Sequence, residues 1–203
     1  MDKALVYLSA ADPRLAFLIE THSKPEFLPH TNYYQELVDS IISQQLSVKA
    51  ARTIEGRFKD LFGGEFPSPE HILDKNIEEL RAVGLSRPKA GYIQDLAMKI
   101  IDGEVKFDTL DQLSNQEIVN ELIKVKGIGV WTVHMFLMFC MGRLDVLPVG
   151  DLGIRNGIMK LYDLNTVPDA SEVEAIATSN SWHPYESVAS WYIWQSLDNT
   201  PKN

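Results

Sequence analysis

Only one cysteine, Cys140, occurs in the 203 residues. A lone thiol forms no internal disulfide and cannot supply a four-thiolate cluster, which excludes a disulfide-stapled scaffold and an iron–sulfur protein. The five histidines (His22, His30, His71, His134, His183) never fall at a metal-ligand spacing, which argues against a zinc enzyme. Long apolar runs are missing as well. The longest candidate, residues 130–141, is interrupted by Thr132 and His134 and is too short for a bilayer. No basic-then-apolar leader precedes Asp2 and Lys3, so an intracellular protein without a membrane anchor is expected. A basic surplus is lacking too: 19 Lys and Arg against 28 Asp and Glu leave a net charge of −9. That balance counts against a broad phosphate-binding surface, although a small site can be locally neutral or positive. What remains is a chain with 45% hydrophobic residues, long enough for one large helical domain or two small lobes.

The punctuation of the chain is helical almost throughout. Asp12-Pro13 offers an N-cap followed by proline at the first helical position, with Leu15, Leu18 and Ile19 on one face. Leu37, Val38, Ile41 and Ile42 make a second face. Ser47 caps a helix with the stripe Val48, Ala51, Ile54, Phe58 and Leu61, which Gly63-Gly64 stops. Ser68-Pro69 opens a short helix. Asn76 with Glu79, Ser114 with Glu117 and Ser171 with Glu174 have the spacing of capping boxes. Pro184 stands at the start of a last helix carrying Val188, Trp191 and Trp194. No convincing alternating strand occurs. The expected fold class is all-α, with roughly ten short helices.

Two stretches can carry chemistry. Residues 122–132 read LIKVKGIGVWT, a helix, a Gly127-Ile128-Gly129 turn and the start of a second helix. Glycines at this spacing let the backbone turn tightly and approach a ligand closely, and the amides opening the second helix can face a phosphate. The bland alternative is a helical corner where glycine only permits close packing. Residues 147–155 read LPVGDLGIR, in which Asp151 follows a Pro/Gly turn and opens a helix with Ile154, Ile158 and Leu161. Most such aspartates only cap. The same position also favours negative charge, and a carboxylate aimed at a cleft can stabilise a positive transition state.

Together these stretches resemble the helix-hairpin-helix DNA glycosylase superfamily. The flanking motifs resemble its DNA-3-methyladenine glycosylase II family: Asp12-Pro13 and its leucines, Ser43-Gln44-Gln45-Leu46-Ser47, Gly84-Leu85-Ser86-Arg87-Pro88-Lys89-Ala90, and Trp182-His183-Pro184-Tyr185. The resemblance covers nearly the whole chain and lacks the β-rich region of larger members. It implies two helical lobes with an interlobe cleft: a bundle of residues 33–139 ending in the hairpin, and a second lobe from residues 1–32 plus 140–203. It implies Asp151 as the catalytic residue. Contacts to DNA would come from Gln45, Leu46, Lys89, Gly127, Ile128, Gly129 and Thr132, with Gln45 as the wedge that fills the hole left by a flipped base. Trp131, Met135, Leu152 and Trp194 would line the base pocket. No cofactor would be required, although main-chain carbonyls of Ile123, Val125 and Ile128 could hold a sodium or potassium ion at the hairpin.

The implied partner is double-stranded DNA with a damaged base, met by a monomer. The implied reaction is monofunctional hydrolysis of the N-glycosidic bond of alkylated purines such as 3-methyladenine and 7-methylguanine. Trp131 stands where a bifunctional glycosylase–lyase carries its nucleophilic lysine. Met135 and Leu152 stand where better-known members have tyrosines, so the pocket is less aromatic, and Glu186 replaces a common arginine. The alternatives are a glycosylase for another lesion, a non-catalytic DNA-binding hairpin module and an acidic helical scaffold.

Overall fold

The chain is described from a computed structural model, which covers residues 1–198. Twelve α-helices, one 3-10 helix and one π-helical turn make up the elements there, and the described residues contain no strand. No helix among them is long and apolar enough to cross a membrane. The chain divides into two compact units, residues 30–136 and residues 1–29 with 137–203.

The first unit is built around α3 (Tyr33–Ser43), α4 (Val48–Leu61) and α7 (Arg87–Ile101), with α5 (Pro69–Leu73), α6 (Ile77–Ala82), α8 (Asn115–Leu122) and α9 (Val130–Met135) completing it. The apolar periodicity of α3 places Leu37, Val38, Ile41 and Ile42 fully inside, and α3 packs on α7, whose Ile93, Leu96 and Ala97 are buried as well. Burying side chains of this size stabilises by about 1.5–3 kcal/mol each before entropy is counted. Helix starts follow the expected chemistry. Ser47, Ser68 and Ser86 cap α4, α5 and α7, while Asn76–Glu79 and Ser114–Glu117 form complete capping boxes. The α4 stripe is narrower than its sequence implies: Phe58 and Ala51 are buried, but Val48 at the first turn is exposed.

The second unit packs α1 (Asp2–Ala11), α2 (Pro13–Thr21), α10 (Leu152–Leu161), α11 (Ala170–Ser179) and α12 (Glu186–Asp198) around Leu8, Leu15, Ile154, Ile158, Trp182 and Ile193. Its hub is Asp12, which is wholly buried. One carboxylate oxygen accepts the amides of Arg14 (2.9 Å) and Leu15 (3.4 Å) and so caps α2. The other accepts the indole N–H of Trp182 (2.9 Å) and the hydroxyl of Tyr162. Burial, followed by the bond to Asp12, pushes the Tyr162 phenol above its ordinary range.

Two sequence expectations are corrected. The third capping box is Asp169–Glu172, not Ser171–Glu174, and Ser171 instead donates to Asp169 (2.7 Å). The last helix starts at Glu186 rather than at Pro184, which follows a cis peptide bond. Helix α1 was not anticipated, because its first turn offers only Met1 as N-cap with no side-chain bond.

Candidate active site and nucleic-acid interface

In the first unit, the hairpin is α8, the turn of residues 123–129, and α9. Gly127 adopts φ +81°, which an L side chain rarely adopts. The turn is also crowded from below. A Cβ on Gly127 would sit 2.1 Å from the ring of Tyr92 on α7. Asp95, one turn further along α7, accepts the Lys126 amide (2.9 Å) and pairs with its ammonium (3.3 Å). Thus α7 supplies both floor and fastening for the hairpin. Gly129 is the N-cap of α9 and offers no side-chain cap, so the first amides of that helix have no bond from a cap side chain. Ile128 and Thr132 are buried, at 4% and 7% exposure. The Val125 carbonyl accepts the Ile128 amide (3.1 Å).

The turn of residues 44–47 between α3 and α4 lies against the hairpin. The Gln44 side chain donates to the Gly127 carbonyl (2.9 Å). Gln45 is exposed and left-handed, at φ +57°, and Leu46 beside it is 38% exposed. Lys89 does not lie open on the surface: its ammonium donates to the carbonyls of Ile42 (2.8 Å) and Gln44 (2.6 Å). Desolvation lowers its pKa from the usual lysine value. In the hairpin, the ammonium of Lys124 pairs with Glu121 (2.8 Å).

Trp131, Met135, Thr132, Gly127, Gln44 and Gln45 line one cavity of about 660 Å³. Glu36, Asp39 and Glu55 form its acidic side. One oxygen of Asp39 is buried without a hydrogen-bond partner, and burial pushes the carboxyl up to about 6. Burial also lowers the pKa of His134 on α9.

In the second unit, Asp151 is the N-cap of α10 and half-buried. Its Oδ1 accepts two bonds, from the Ile154 amide (2.8 Å) and from Nε1 of Trp194 on α12 (2.9 Å). The Trp194 ring also packs on Phe139, with centroids 6.2 Å apart. Trp194 therefore orients the carboxylate. Leu152, at 63% exposure, points to the surface beside it.

Three supports of this corner had no reading from sequence. Gly153 is required by proximity, since a Cβ there would lie 2.9 Å from Asp151 Oδ1 and 3.1 Å from Trp194 Nε1. Gly157 lets α10 approach α12, where a Cβ would meet Ile193 at 2.3 Å. Ser187, fully buried, receives the Val146 amide (3.1 Å) and donates to the Arg143 carbonyl (2.7 Å), fastening to α12 the loop that leads to Asp151. The run Gly150-Asp151-Leu152-Gly153 carried a signal for the second glycine. Ser187 carried none.

Thus Trp131 and Met135 share a cavity with Gln44, Gln45, Gly127 and Thr132 in one unit, while Asp151, Leu152 and Trp194 cluster in the other. Comparison with known proteins fits these features. Residues 38–181 match the HhH-GPD superfamily of base excision DNA repair proteins. The DNA-3-methyladenine glycosylase 1 of Schizosaccharomyces pombe is 36% identical over 201 residues, covering 97% of this chain and 87% of that protein. A solved structure of the S. pombe 3-methyladenine DNA glycosylase in complex with abasic DNA superposes with a TM-score of 0.82 and 35% identity over 98% of each chain. The Bacillus halodurans DNA-3-methyladenine glycosidase gives a TM-score of 0.82 at 38% identity, over 93% of this chain and 86% of that one. With hairpin, capped carboxylate and whole-chain similarity in agreement, the chain belongs to the HhH-GPD superfamily of base excision DNA repair proteins and, within it, to the DNA-3-methyladenine glycosylase family.

Proposed function

We propose that this base-excision glycosylase hydrolyses the N-glycosidic bond of alkylated purines in duplex DNA, with Asp151 as the catalytic residue. The observation that carries the reading is the double hold on one oxygen of Asp151, by the Ile154 amide and the Trp194 indole. An anion fixed in this way needs no reorganisation when positive charge develops on the sugar. Groups preorganised for transition-state charge are worth about 3–4 kcal/mol each. The C1′–N bond breaks with its electron pair going to the base, which leaves easily because alkylation has made the ring cationic. Asp151 faces the oxocarbenium-like sugar, and water completes the hydrolysis at C1′. Trp131 offers a stacking face to the electron-poor base, worth about 1–2 kcal/mol once desolvated.

Gln45 is the wedge in this reading, and the amides around Gly127 and Gly129 hold a backbone phosphate of the damaged strand. A monovalent cation at the carbonyls of Ile123, Val125 and Ile128 would add positive charge beside that phosphate. The Val125 carbonyl keeps a second lone pair for it besides its bond from Ile128. The reaction itself requires no cofactor. It is monofunctional, because Trp131 provides no amine for a Schiff base, and the flanking motifs around Gln45, Lys89 and Trp182 support the type II kind.

The test is base release from methylated duplex DNA by the wild type and by Asp151→Asn, which keeps size and capping ability. Release should fall at least 100-fold, in line with losses of about 10²–10³ for such groups. The wild-type product should be an intact abasic strand, cut only by alkali. Full activity in the variant, or a borohydride-trapped protein–DNA adduct during turnover, would overturn the assignment.

A further inference from the structure

The turn that carries Gln45 is held from two sides by residues distant in sequence. Helix α3 ends with no basic residue in its last turn. The negative end of that helix is met instead by Lys89 of α7, whose ammonium donates to the carbonyls of both Ile42 and Gln44. On the other side the Gln44 side chain bonds the Gly127 carbonyl in the hairpin. Between them stands Gln45 in a left-handed conformation that a non-glycine residue adopts only where its surroundings over-determine it. The next amide, that of Leu46, returns to the Ser43 carbonyl (3.0 Å) and closes the turn.

We propose that Lys89 and Gln44 are positioning residues that hold the Gln45 turn in its projecting form and couple it to the hairpin. This rests on the wedge role of Gln45 given above. Lys89 thereby acts through the protein backbone rather than on a DNA phosphate. The coupling runs in both directions. A phosphate seated at the hairpin meets a Gly127 whose carbonyl already carries Gln44, and a duplex pressing on Gln45 presses on the hairpin. Gripping the strand and holding the base pair open then act as one event.

The experiment compares single-turnover excision of 7-methylguanine from a matched duplex with excision of the same lesion placed as an unpaired one-nucleotide bulge, where less energy is needed to extrude the base. Lys89→Met keeps the stem and removes the donors, and Gln44→Ala cuts the tie to the hairpin at a half-buried position that tolerates truncation. Each should slow the matched substrate at least 10-fold and the bulged one less than 3-fold. Lys89→Cys alkylated with bromoethylamine restores an amine at nearly the original reach and should recover the matched-duplex rate. Cys140 is fully buried and does not compete for the reagent. Equal losses on both substrates, or no loss on either, would overturn the inference. Gln45→Ala, run alongside, separates the two layers. If that variant does not discriminate between the substrates, the wedge reading fails. If it discriminates while Lys89→Met and Gln44→Ala do not, only the positioning role fails.

Discussion

Gly153→Ala should leave the protein folded and still impair it. The added Cβ would lie 2.9 Å from Asp151 Oδ1 and 3.1 Å from both Cδ1 and Nε1 of Trp194. Non-bonded carbon contacts settle near 3.5–4.0 Å, so carboxylate and indole must part by several tenths of an ångström. A misplacement of about 1 Å costs about 10²-fold in rate, and half of that costs about 10-fold. The backbone effect has the opposite sign, because alanine in a helix is favoured over glycine by up to about 1 kcal/mol. The melting temperature should therefore shift by no more than about 4 °C in either direction. The assay is single-turnover excision of 7-methylguanine beside a thermal melt, repeated in the Asp151→Asn background, where Gly153→Ala should cost nothing further. Wild-type excision by Gly153→Ala, or an equal additional loss in the Asn background, would refute the idea that Trp194 and Asp151 act as a fixed pair.

Asp12→Asn should be a folding defect with no catalytic component. An amide cannot accept from Trp182 and Tyr162 while its other atom caps α2, and a stranded buried donor costs about 1–3 kcal/mol, seen as a melting temperature lower by about 2–12 °C. An unchanged melt would contradict the hub. Asp39→Asn should stabilise with a definite pH dependence. The folded-state value of about 6 exceeds the ordinary aspartate value of 3.8, so the folded protein holds that proton more tightly. Stability is then full below the lower value and declines as pH rises through the upper one. Discounted for partial exposure, the variant should gain about 1 kcal/mol at pH 7.5 and nothing at pH 3.5, measured by urea unfolding; a gain confined to acid would reverse the assignment. Gly127→Ala, with its Cβ 2.1 Å from the Tyr92 ring and φ +81°, should bind abasic-site duplex at least 10-fold more weakly. Unaltered affinity would remove the hairpin from the interface.

The sequence was most legible where structure is local. Ser47, Ser68, Asn76 and Ser114 announce their helices because a cap acts on amides two or three residues away. The same locality misled at α11, where two caps two residues apart compete. Asp169 prevails because Glu172 closes its box and the hydroxyl of Ser171 itself turns toward Asp169. Asp151 was legible as a capping carboxylate for the same reason. What could not be read was every bond that the tertiary fold makes. Trp194 reads as a pocket wall, and nothing near it in sequence shows that its N–H also lies on a carboxylate 43 positions away. Lys89 reads as a DNA contact, and its ammonium also donates to carbonyls 45 and 47 positions away. Neither partner leaves a periodic or compositional trace near the residue it serves.

Asp95 has a further consequence through its hold on Lys126. With Lys124 likewise matched to Glu121, the hairpin proposed to meet DNA has its two ammoniums already balanced by protein carboxylates. A strand gripped there is gripped through amide hydrogens, which release few condensed counterions, so affinity should fall only gently with added salt. On a chain of net charge −9, the long-range field also opposes lingering on intact duplex. On the proposed function, residence time should then be set at the lesion, by the extruded base, and undamaged sequence should be left quickly.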